Sequence, residues 1–229
     1  MIEETNRSIT GETCFFRDLS AYHTYTALFR VLRGQRRTIL SLPCSTGQEP
    51  YSIALLTKDK GNFPFSVHGI DKEQKSLGVA REGKYWCGLS AWSLLLPYYD
   101  KGWVEPCALG ENDTIANKVG IRVSDKIQKG VSFSAANVLE KRVEGSYDVV
   151  FCLNFLYMLK PEDKARALEN ILGSLKQKGF LFLDTWTHPE RYMGLQYQER
   201  QRRHNAFLES MPLRFGLVKR DNTDVYQKI

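Results

Sequence analysis

The stretch Thr38-Ile-Leu-Ser-Leu-Pro-Cys-Ser-Thr-Gly-Gln-Glu-Pro-Tyr-Ser52 decides the fold. Ile39, Leu40 and Leu42 are apolar, and they predict a buried strand over Ile39–Leu42. Small residues follow over Cys44–Gly47, and Pro50 suits the first turn of a helix, where a missing N–H costs nothing. A strand that turns sharply into a helix aims backbone N–H groups at one spot. This stretch therefore predicts a ligand site.

The composition is that of an ordinary globular protein. The 229 residues are 42% hydrophobic and 25% charged, which is enough for one α/β domain with a core. The chain lacks a signal peptide core and any apolar run near the roughly 18 residues of a membrane span. Five scattered cysteines without a Cys-x-x-Cys are typical of reduced thiols. We therefore expect a cytoplasmic protein with no metal site and no membrane insertion.

The first residues, 1–37, predict an N-terminal helical segment. Apolar side chains recur every three or four residues from Phe15 to Leu32, and Gly34 suits the end of a helix. Arginines crowd that end, either as a solvated face or as a landing patch for an acidic partner. The net charge of +6 permits an acidic partner or nucleic acid but demands neither, and no nucleic-acid motif accompanies it.

Apolar strands and amphipathic helices alternate along the rest of the chain. The further predicted strands are Phe65–Asp71, Val131–Ala135, Tyr147–Asn154 and Gly179–Asp184, followed by a closing hairpin over 215–228. This alternation predicts a single domain, residues 1–229, with a mostly parallel sheet covered by helices on both faces. Residues 84–100 predict a helical connector that ends at Pro97. Residues 101–130 contain turn residues and short pieces that alternate with period 2, such as Val119–Val123, and they predict a small β-rich insertion.

Polar residues follow the ends of the predicted parallel strands. They are the turn at 45–49, Asp71, Asn137 and Asn154. Ligands of such sheets bind beyond the carboxyl ends of the strands. The convergence of these residues therefore predicts a site for a nucleotide-like ligand.

The two acids of this set define the ligand further. Asp71 follows Gly47 by 24 residues, near the spacing at which an acid binds ribose hydroxyls. The turn is poor in glycine and carries Glu49 at the helix start, where an acid would repel a phosphate but could pair with an ammonium group. A ribose, an amino group and no phosphate describe S-adenosylmethionine. Alternatively, Glu49 only stabilises the helix dipole.

The run Pro43-Cys-Ser-Thr-Gly-Gln-Glu-Pro-Tyr-Ser-Ile-Ala54 resembles the signature of the CheR-type chemotaxis methyltransferases, usually Ser-Thr-Gly-Glu-Glu-Pro-Tyr-Ser-Ile-Ala. Further family motifs match in order at Thr13–Asp18, Gly69–Asp71, Ala80–Tyr85, Asn137–Leu139 and Tyr147–Asn154. The resemblance implies a class I S-adenosylmethionine-dependent methyltransferase fold. This is a Rossmann-like, mostly parallel seven-stranded sheet with a small antiparallel β-subdomain, which would fall at 101–130.

The resemblance also implies roles for individual residues. The implied cofactor-binding residues are Thr13, Arg17, Ser45, Gly47, Glu49, Asp71, Asn137, Val138 and Asn154. Thr13 and Arg17, in the segment 1–37, would close over the methionine end of S-adenosylmethionine. Glu49 and the turn around Gly47 would hold its amino-acid part, and the acid of the second strand would take the ribose.

The remaining implied roles concern the adenine and the chemistry. Asn137 and Val138 would frame the adenine, and Asn154 would lie beside the sulfonium. The implied catalytic residues are Arg17, Asn154 and Tyr157. The family transfers a methyl group to a glutamate side chain of a chemoreceptor. A glutamate carboxylate is ionised at neutral pH, so no general base is needed, and catalysis must come from alignment and exclusion of water.

The acceptor half of the site departs from the family. Gly11 replaces an asparagine, Leu153 replaces an arginine, and Met158 stands at the position of the family's active-site tyrosine. Tyr157 is one residue off, and in a regular backbone it would point elsewhere unless a local bulge re-aims it. The chain begins about a dozen residues before Phe15, so we expect it to lack the family's N-terminal helical domain.

Three functions stay open on the sequence. The first is methyl transfer to a glutamate carboxylate of a chemoreceptor or other signalling protein. The second is a regulator that binds S-adenosylmethionine or S-adenosylhomocysteine without catalysis, which the changes at Leu153 and Met158 favour. The third is methyl transfer to a small molecule or another side chain. We expect a protein partner, no nucleic acid and a monomer.

Overall fold

The computed structural model describes residues 14–16, 37–60, 64–109, 118–183, 195–220 and 225–229. Of the expected N-terminal helical segment 1–37, the structure describes only Cys14, Phe15, Phe16 and Arg37. Thr13, Arg17 and the rest of that segment lie outside the described residues.

Most of the strands and helices follow in the order that the sequence predicts, and the strand at Lys84–Gly88 is an exception. The strands are β1 (Arg37–Ser41), β2 (Phe65–Asp71), β3 (Lys84–Gly88), β4 (Val104–Pro106), β5 (Lys118–Val123), β6 (Val131–Ala135), β7 (Tyr147–Cys152), β8 (Leu175–Leu183), β9 (Leu217–Lys219) and β10 (Val225–Lys228). The helices are α1 (Gln48–Lys60), α2 (Gln74–Glu82), α3 (Leu89–Tyr99), α4 (Asp125–Gln128), α5 (Pro161–Leu172) and α6 (Leu195–Phe215), with a 3-10 turn at Leu156–Met158.

A large sheet of seven described strands organises the molecule. Its strand order is β6-β2-β1-β7-β8-β10-β9. The pairs from β6 to β8 are parallel, whereas β10 is antiparallel to both β8 and β9. This confirms the predicted mostly parallel seven-stranded sheet with its closing hairpin. Since β1 lies between β2 and β7, the carboxyl ends of these three strands meet at one edge.

The core lies on both faces of this sheet, because successive side chains of a strand point to opposite faces. On β1, Ile39 joins a cluster that includes α1 and the small second sheet. Its neighbour Leu40 joins a cluster that includes α5 and α6. Both side chains are fully buried, as are Val149 and Val150 on β7. Burial on both faces explains why these strands have continuous apolar sequences.

The second sheet is small and antiparallel, with strand order β3-β5-β4. Its strands come from residues 84–123 and so begin upstream of the expected range 101–130. The expected helical connector over 84–100 is wrong in its first part, because Lys84–Gly88 is a strand. Tyr85 and Cys87 are buried while Lys84 is exposed, a period-2 pattern that pairing with β5 stabilises.

Pro97 lies inside α3 rather than ending it. The helix continues to Tyr99, and the N–H of Asp100 donates to the carbonyl of Leu96. No helix in the described ranges combines the length and the apolar character that a bilayer span requires.

Asp148 ties the first residues of the central strand to the neighbouring strands. Its Oδ2 accepts from the N–H of Thr38 at 2.8 Å and from the Thr38 hydroxyl at 2.9 Å. Its Oδ1 accepts from Lys176 Nζ at 3.0 Å. Burial acts to raise the pKa of Asp148, but these donors outweigh it and hold the pKa below its usual range. The carboxylate therefore stabilises the junction of β1, β7 and β8.

We predict that Asp148→Ala lowers the free energy of unfolding at pH 7 by about 1 to 2 kcal/mol, because the Thr38 N–H and Lys176 lose their acceptor. Folding lowers the pKa of Asp148. Its contribution is therefore present above the ordinary value of 3.8 and is lost as the pH falls through the range below it. Urea unfolding of both proteins across this range measures the effect.

The matched control is Glu199→Ala. It removes an ion pair with Arg203 in which both side chains are more than half exposed, and it should cost less than about 0.5 kcal/mol. An equal loss in the two variants, or a pH-independent loss for Asp148→Ala, would contradict the assignment.

Candidate functional site

The turn after β1 lies between the ends of two neighbouring strands. The N–H of Leu42 donates to the carbonyl of Phe151 at 2.9 Å, and the N–H of Cys44 donates to the carbonyl of Ile70 at 2.8 Å. These bonds continue the pairing of β1 with β7 and β2 past the last residue of β1. The turn after them is therefore fixed at the carboxyl edge of the sheet, where ligands of such folds bind.

Two left-handed residues make the turn sharp. Ser45 has φ +48° and Gly47 has φ +91°. A Cβ at Gly47 would lie 2.7 Å from the Cβ of Ala80 in α2, closer than side chains approach. Glycine is therefore required at position 47 both by its backbone angle and by the close approach of α2.

Asp71, the last residue of β2, holds the turn from the side. Its Oδ2 accepts from the N–H of Ser45 at 2.7 Å, and its Oδ1 accepts from the N–H of Glu73 at 3.0 Å. The side chain is buried. A carboxylate has roughly four lone-pair sites, so these two bonds leave Asp71 able to accept from the vicinal hydroxyls of a ribose.

Glu49 accepts a hydrogen bond from Ser41, a residue that was not among those predicted for the site. The hydroxyl of Ser41, which is fully buried at the end of β1, donates to Oε1 of Glu49 at 2.7 Å. Glu49 lies in the first turn of α1, where the helix dipole favours a negative charge. The polar Ser41 between the apolar residues Leu40 and Leu42 was the signal that could have revealed this contact.

The next pair of predicted residues comes after β6. The N–H of Ala136 donates to the carbonyl of Asp71, which fixes this segment beside β2. The Asn137 amide accepts from the N–H of Leu139 at 3.1 Å and donates to Glu140 at 2.8 Å, so it stabilises its own turn. Val138 is buried in the core cluster that includes α5. Their contact with an adenine ring stays a prediction.

Asn154 lies two residues beyond the end of β7. It is half-buried and has φ +56°, a left-handed conformation that asparagine tolerates better than most residues. A 3-10 turn begins two residues later, at Leu156, and the N–H of Met158 donates to the carbonyl of Phe155 at 3.0 Å. The chain thus leaves the strand direction at Asn154.

Tyr157 lies in this 3-10 turn and packs against α6. Its ring centroid is 6.3 Å from that of His204, edge to face. His204 is fully buried and lies 3.4 Å from Nζ of Lys164. Because a 3-10 turn rotates about 120° per residue, Tyr157 and Met158 point in different directions. Whether Tyr157 replaces the family's tyrosine in catalysis stays a prediction.

The segment between Thr13 and Arg17 is described only at 14–16. The N–H of Phe16 donates to the hydroxyl of Ser52 in α1 at 3.1 Å. The ring of Phe15 packs edge-on against Tyr85 at 5.1 Å. The residues between Thr13 and Arg17 are therefore held against α1 and β3.

The site is acidic and holds its thiol in the neutral form. Burial, together with the charges of Asp71 and Glu49, raises the pKa of Cys44 far above its usual range. A thiol of that kind is not a nucleophile at neutral pH. Two carboxylates at the turn disfavour a phosphate and suit a cationic group, as S-adenosylmethionine provides. The described residues contain no group of three or more side chains arranged to hold a metal ion.

The structure thus brings Ser45, Gly47, Glu49 and Asp71 together around one turn. Asn137 follows β6 and Asn154 follows β7, the two strands that flank the central pair β2 and β1. Thr13 and Arg17 lie outside the described residues.

Comparison with known proteins agrees with this arrangement. The family model described as CheR methyltransferase, SAM binding domain, matches residues 11–191. A probable biofilm formation methyltransferase, WspC, of Pseudomonas putida is 32% identical over 188 residues, which cover 76% of this chain and 41% of that protein. The chemotaxis protein methyltransferase of Salmonella typhimurium is 30% identical over 200 residues, which cover 83% of this chain and 64% of that protein. The chain spans less than two thirds of either relative.

A solved structure supports the fold. A possible exported protein from Bordetella parapertussis superposes with a TM-score of 0.53 at 14% identity, covering 91% of this chain and 67% of that chain. The match over residues 11–191 covers the turn, both acids and all the predicted site residues. The cofactor of the site is S-adenosylmethionine. The chain belongs to the CheR methyltransferases, through their SAM-binding domain.

Proposed function

We propose that this protein transfers the methyl group of S-adenosylmethionine to a glutamate carboxylate of a chemoreceptor or related signalling protein. The observation that carries the proposal is the pair of fixed acids at one turn, Glu49 held by Ser41 and Asp71 held to the N–H of Ser45. The relative in Salmonella typhimurium is named a chemotaxis protein methyltransferase. The glutamate acceptor, a cytoplasmic location and a monomeric state belong to the same proposal.

Different residues would bind different parts of the cofactor. Glu49 would pair with the ammonium group of the cofactor, and Asp71 would accept from its ribose hydroxyls, so each acid meets donors rather than a phosphate. Asn154 would lie beside the reacting centre and help to exclude water. The bound cofactor supplies an already activated methyl group.

The acceptor needs alignment rather than activation. A glutamate carboxylate is already ionised at neutral pH, so no residue has to remove a proton. The acids of the turn would repel a misplaced carboxylate, and Arg17 would direct it with paired hydrogen bonds. Leu153, which stands where the family has an arginine, packs against the core cluster that also contains Phe16. Since Leu153 cannot form such bonds, Arg17 is the predicted residue that would orient the acceptor carboxylate.

Incubation with methyl-labelled S-adenosylmethionine and purified receptor signalling fragments tests the proposal. We expect label on the fragment that is released as methanol at alkaline pH, which identifies a carboxyl ester. Replacement of the acceptor glutamates by glutamine should abolish the label. Binding of S-adenosylhomocysteine without labelling of any fragment would favour a regulator, and base-stable label would favour another acceptor.

The ribose assignment gives a second prediction. Asp71→Asn should weaken binding of S-adenosylhomocysteine roughly 10- to 100-fold, because hydrogen bonds to a charged group contribute about 1.5 to 3 kcal/mol. Isothermal titration calorimetry measures the change. The control is Asp125→Asn, which neutralises a carboxylate that is 70% exposed on the small sheet's side of the molecule. Unchanged affinity in Asp71→Asn would overturn the assignment.

Ser41 gives a third prediction. Ser41→Ala should weaken binding of S-adenosylhomocysteine about fivefold, because Glu49 loses the hydroxyl that orients it. The same substitution made in a Glu49→Ala background should have a much smaller effect, since the two residues act through one hydrogen bond that Glu49→Ala removes. A double-mutant cycle measured by calorimetry gives the coupling. Simple additivity would show that Ser41 acts independently of Glu49.

A further inference from the structure

Tyr85 belongs to the small sheet but contacts the ligand turn of the large one. It lies on β3, paired with Ile121 of β5. Its hydroxyl donates to the carbonyl of Thr46 at 2.9 Å, and the side chain is buried. Tyr85 is the last residue of the family motif Ala80–Tyr85, and the resemblance to the family implies no role for it.

The bond acts on a peptide unit that glycine leaves free to rotate. The carbonyl of Thr46 and the N–H of Gly47 belong to one planar peptide. Because Gly47 adopts positive and negative φ about equally well, this peptide has little intrinsic preference for its observed direction. The Tyr85 hydroxyl holds the carbonyl, and the carbonyl of Cys44 accepts from the N–H at 2.9 Å. Both ends of the peptide are thereby fixed.

The packing around Gly47 brings the tyrosine close to the turn. A Cβ at position 47 would lie 3.1 Å from the hydroxyl of Tyr85. A second buried tyrosine, Tyr51, donates to the carbonyl of Ala80 at 2.9 Å, and its ring centroid lies 6.2 Å from that of Tyr85. The two tyrosines therefore tie α1, α2 and β3 together behind the turn.

Tyr85 also contacts the segment between Thr13 and Arg17, two of the predicted cofactor-binding residues. Its ring packs edge-on against Phe15, which lies between Thr13 and Arg17 in the sequence. Burial, with smaller effects of Tyr51 and Cys44, raises the pKa of Tyr85 far above its usual range. The hydroxyl thus remains a donor at every pH at which the protein would work.

We propose that Tyr85 is a positioning residue for S-adenosylmethionine, which fixes the Thr46–Gly47 peptide of the turn and carries the placement of the small sheet to the cofactor site. The proposal rests on cofactor binding alone and not on the identity of the methyl acceptor. It concerns the hydroxyl group, because the ring's packing would be kept by phenylalanine.

Tyr85→Phe tests the hydroxyl, with Tyr98→Phe as the matched control. Tyr98 is a buried tyrosine of the same core cluster, and its ring stacks on Phe16 at 5.6 Å. We expect Tyr85→Phe to raise the Kd of S-adenosylhomocysteine about tenfold, since a partly buried carbonyl loses its donor, and Tyr98→Phe to change it less than twofold. Calorimetry is done well below the Tm of each variant.

Replacement of Tyr85 by para-aminophenylalanine restores a donor and should recover most of the lost affinity. If Tyr85→Phe lowers Tm but leaves the Kd unchanged, Tyr85 is only structural and the proposal fails. It also fails if Tyr98→Phe weakens binding equally. Binding of S-adenosylhomocysteine needs no acceptor, so a failure to methylate glutamate leaves this test intact. Where an acceptor is available, Tyr85→Phe should raise KM for S-adenosylmethionine and leave kcat within about twofold.

Discussion

The rest of the site depends on the hydrogen bond from the N–H of Ser45 to the Asp71 carboxylate. It joins the turn after β1 to the end of β2 at the carboxyl edge of the sheet. A buried carboxylate is costly unless it accepts hydrogen bonds, and here two backbone N–H groups satisfy part of its capacity. The same group that fixes the turn is the one suited to a ribose. In the proposed function, the fold and cofactor binding therefore share the side chain of Asp71.

The second constraint is the absence of a side chain at Gly47. It lets α2 approach the turn through Ala80 and lets β3 reach it through Tyr85. The small antiparallel sheet is inserted in the connection between β2 and β6, so nothing in the large sheet's own pairing would place it. Contacts behind the turn supply that placement. The geometry of the turn therefore depends on both sheets.

Local patterns were enough to predict much of this structure. The parallel sheet, the turn and Asp71 follow from apolar runs, a short motif and the rule for strand ends. The strand at Lys84–Gly88 could not be predicted from the sequence. Its five residues show no clear alternation of polar and apolar side chains, and its partner β5 begins some thirty residues later. The partner of Tyr85 was missed for a related reason, whereas Glu49 lies only eight residues from Ser41 and could have been found from that polar residue. A buried hydroxyl reveals that it needs a partner, but the carbonyl that Tyr85 contacts lies 39 residues away in sequence.

The two halves of the site are built differently, and this explains where the sequence departs from the family. The cofactor half relies on backbone groups, a glycine and acids in fixed bonds, which few substitutions could replace. The acceptor half begins at Asn154 with a left-handed residue and a 3-10 turn, with Tyr157 against His204 of α6. In the proposed reaction the acceptor is already ionised and the methyl group is already activated, so this half would only have to align the acceptor. Under the proposed function, the changes at Leu153 and Met158 would alter which acceptor is aligned and would leave the transfer of the methyl group to the cofactor half of the site.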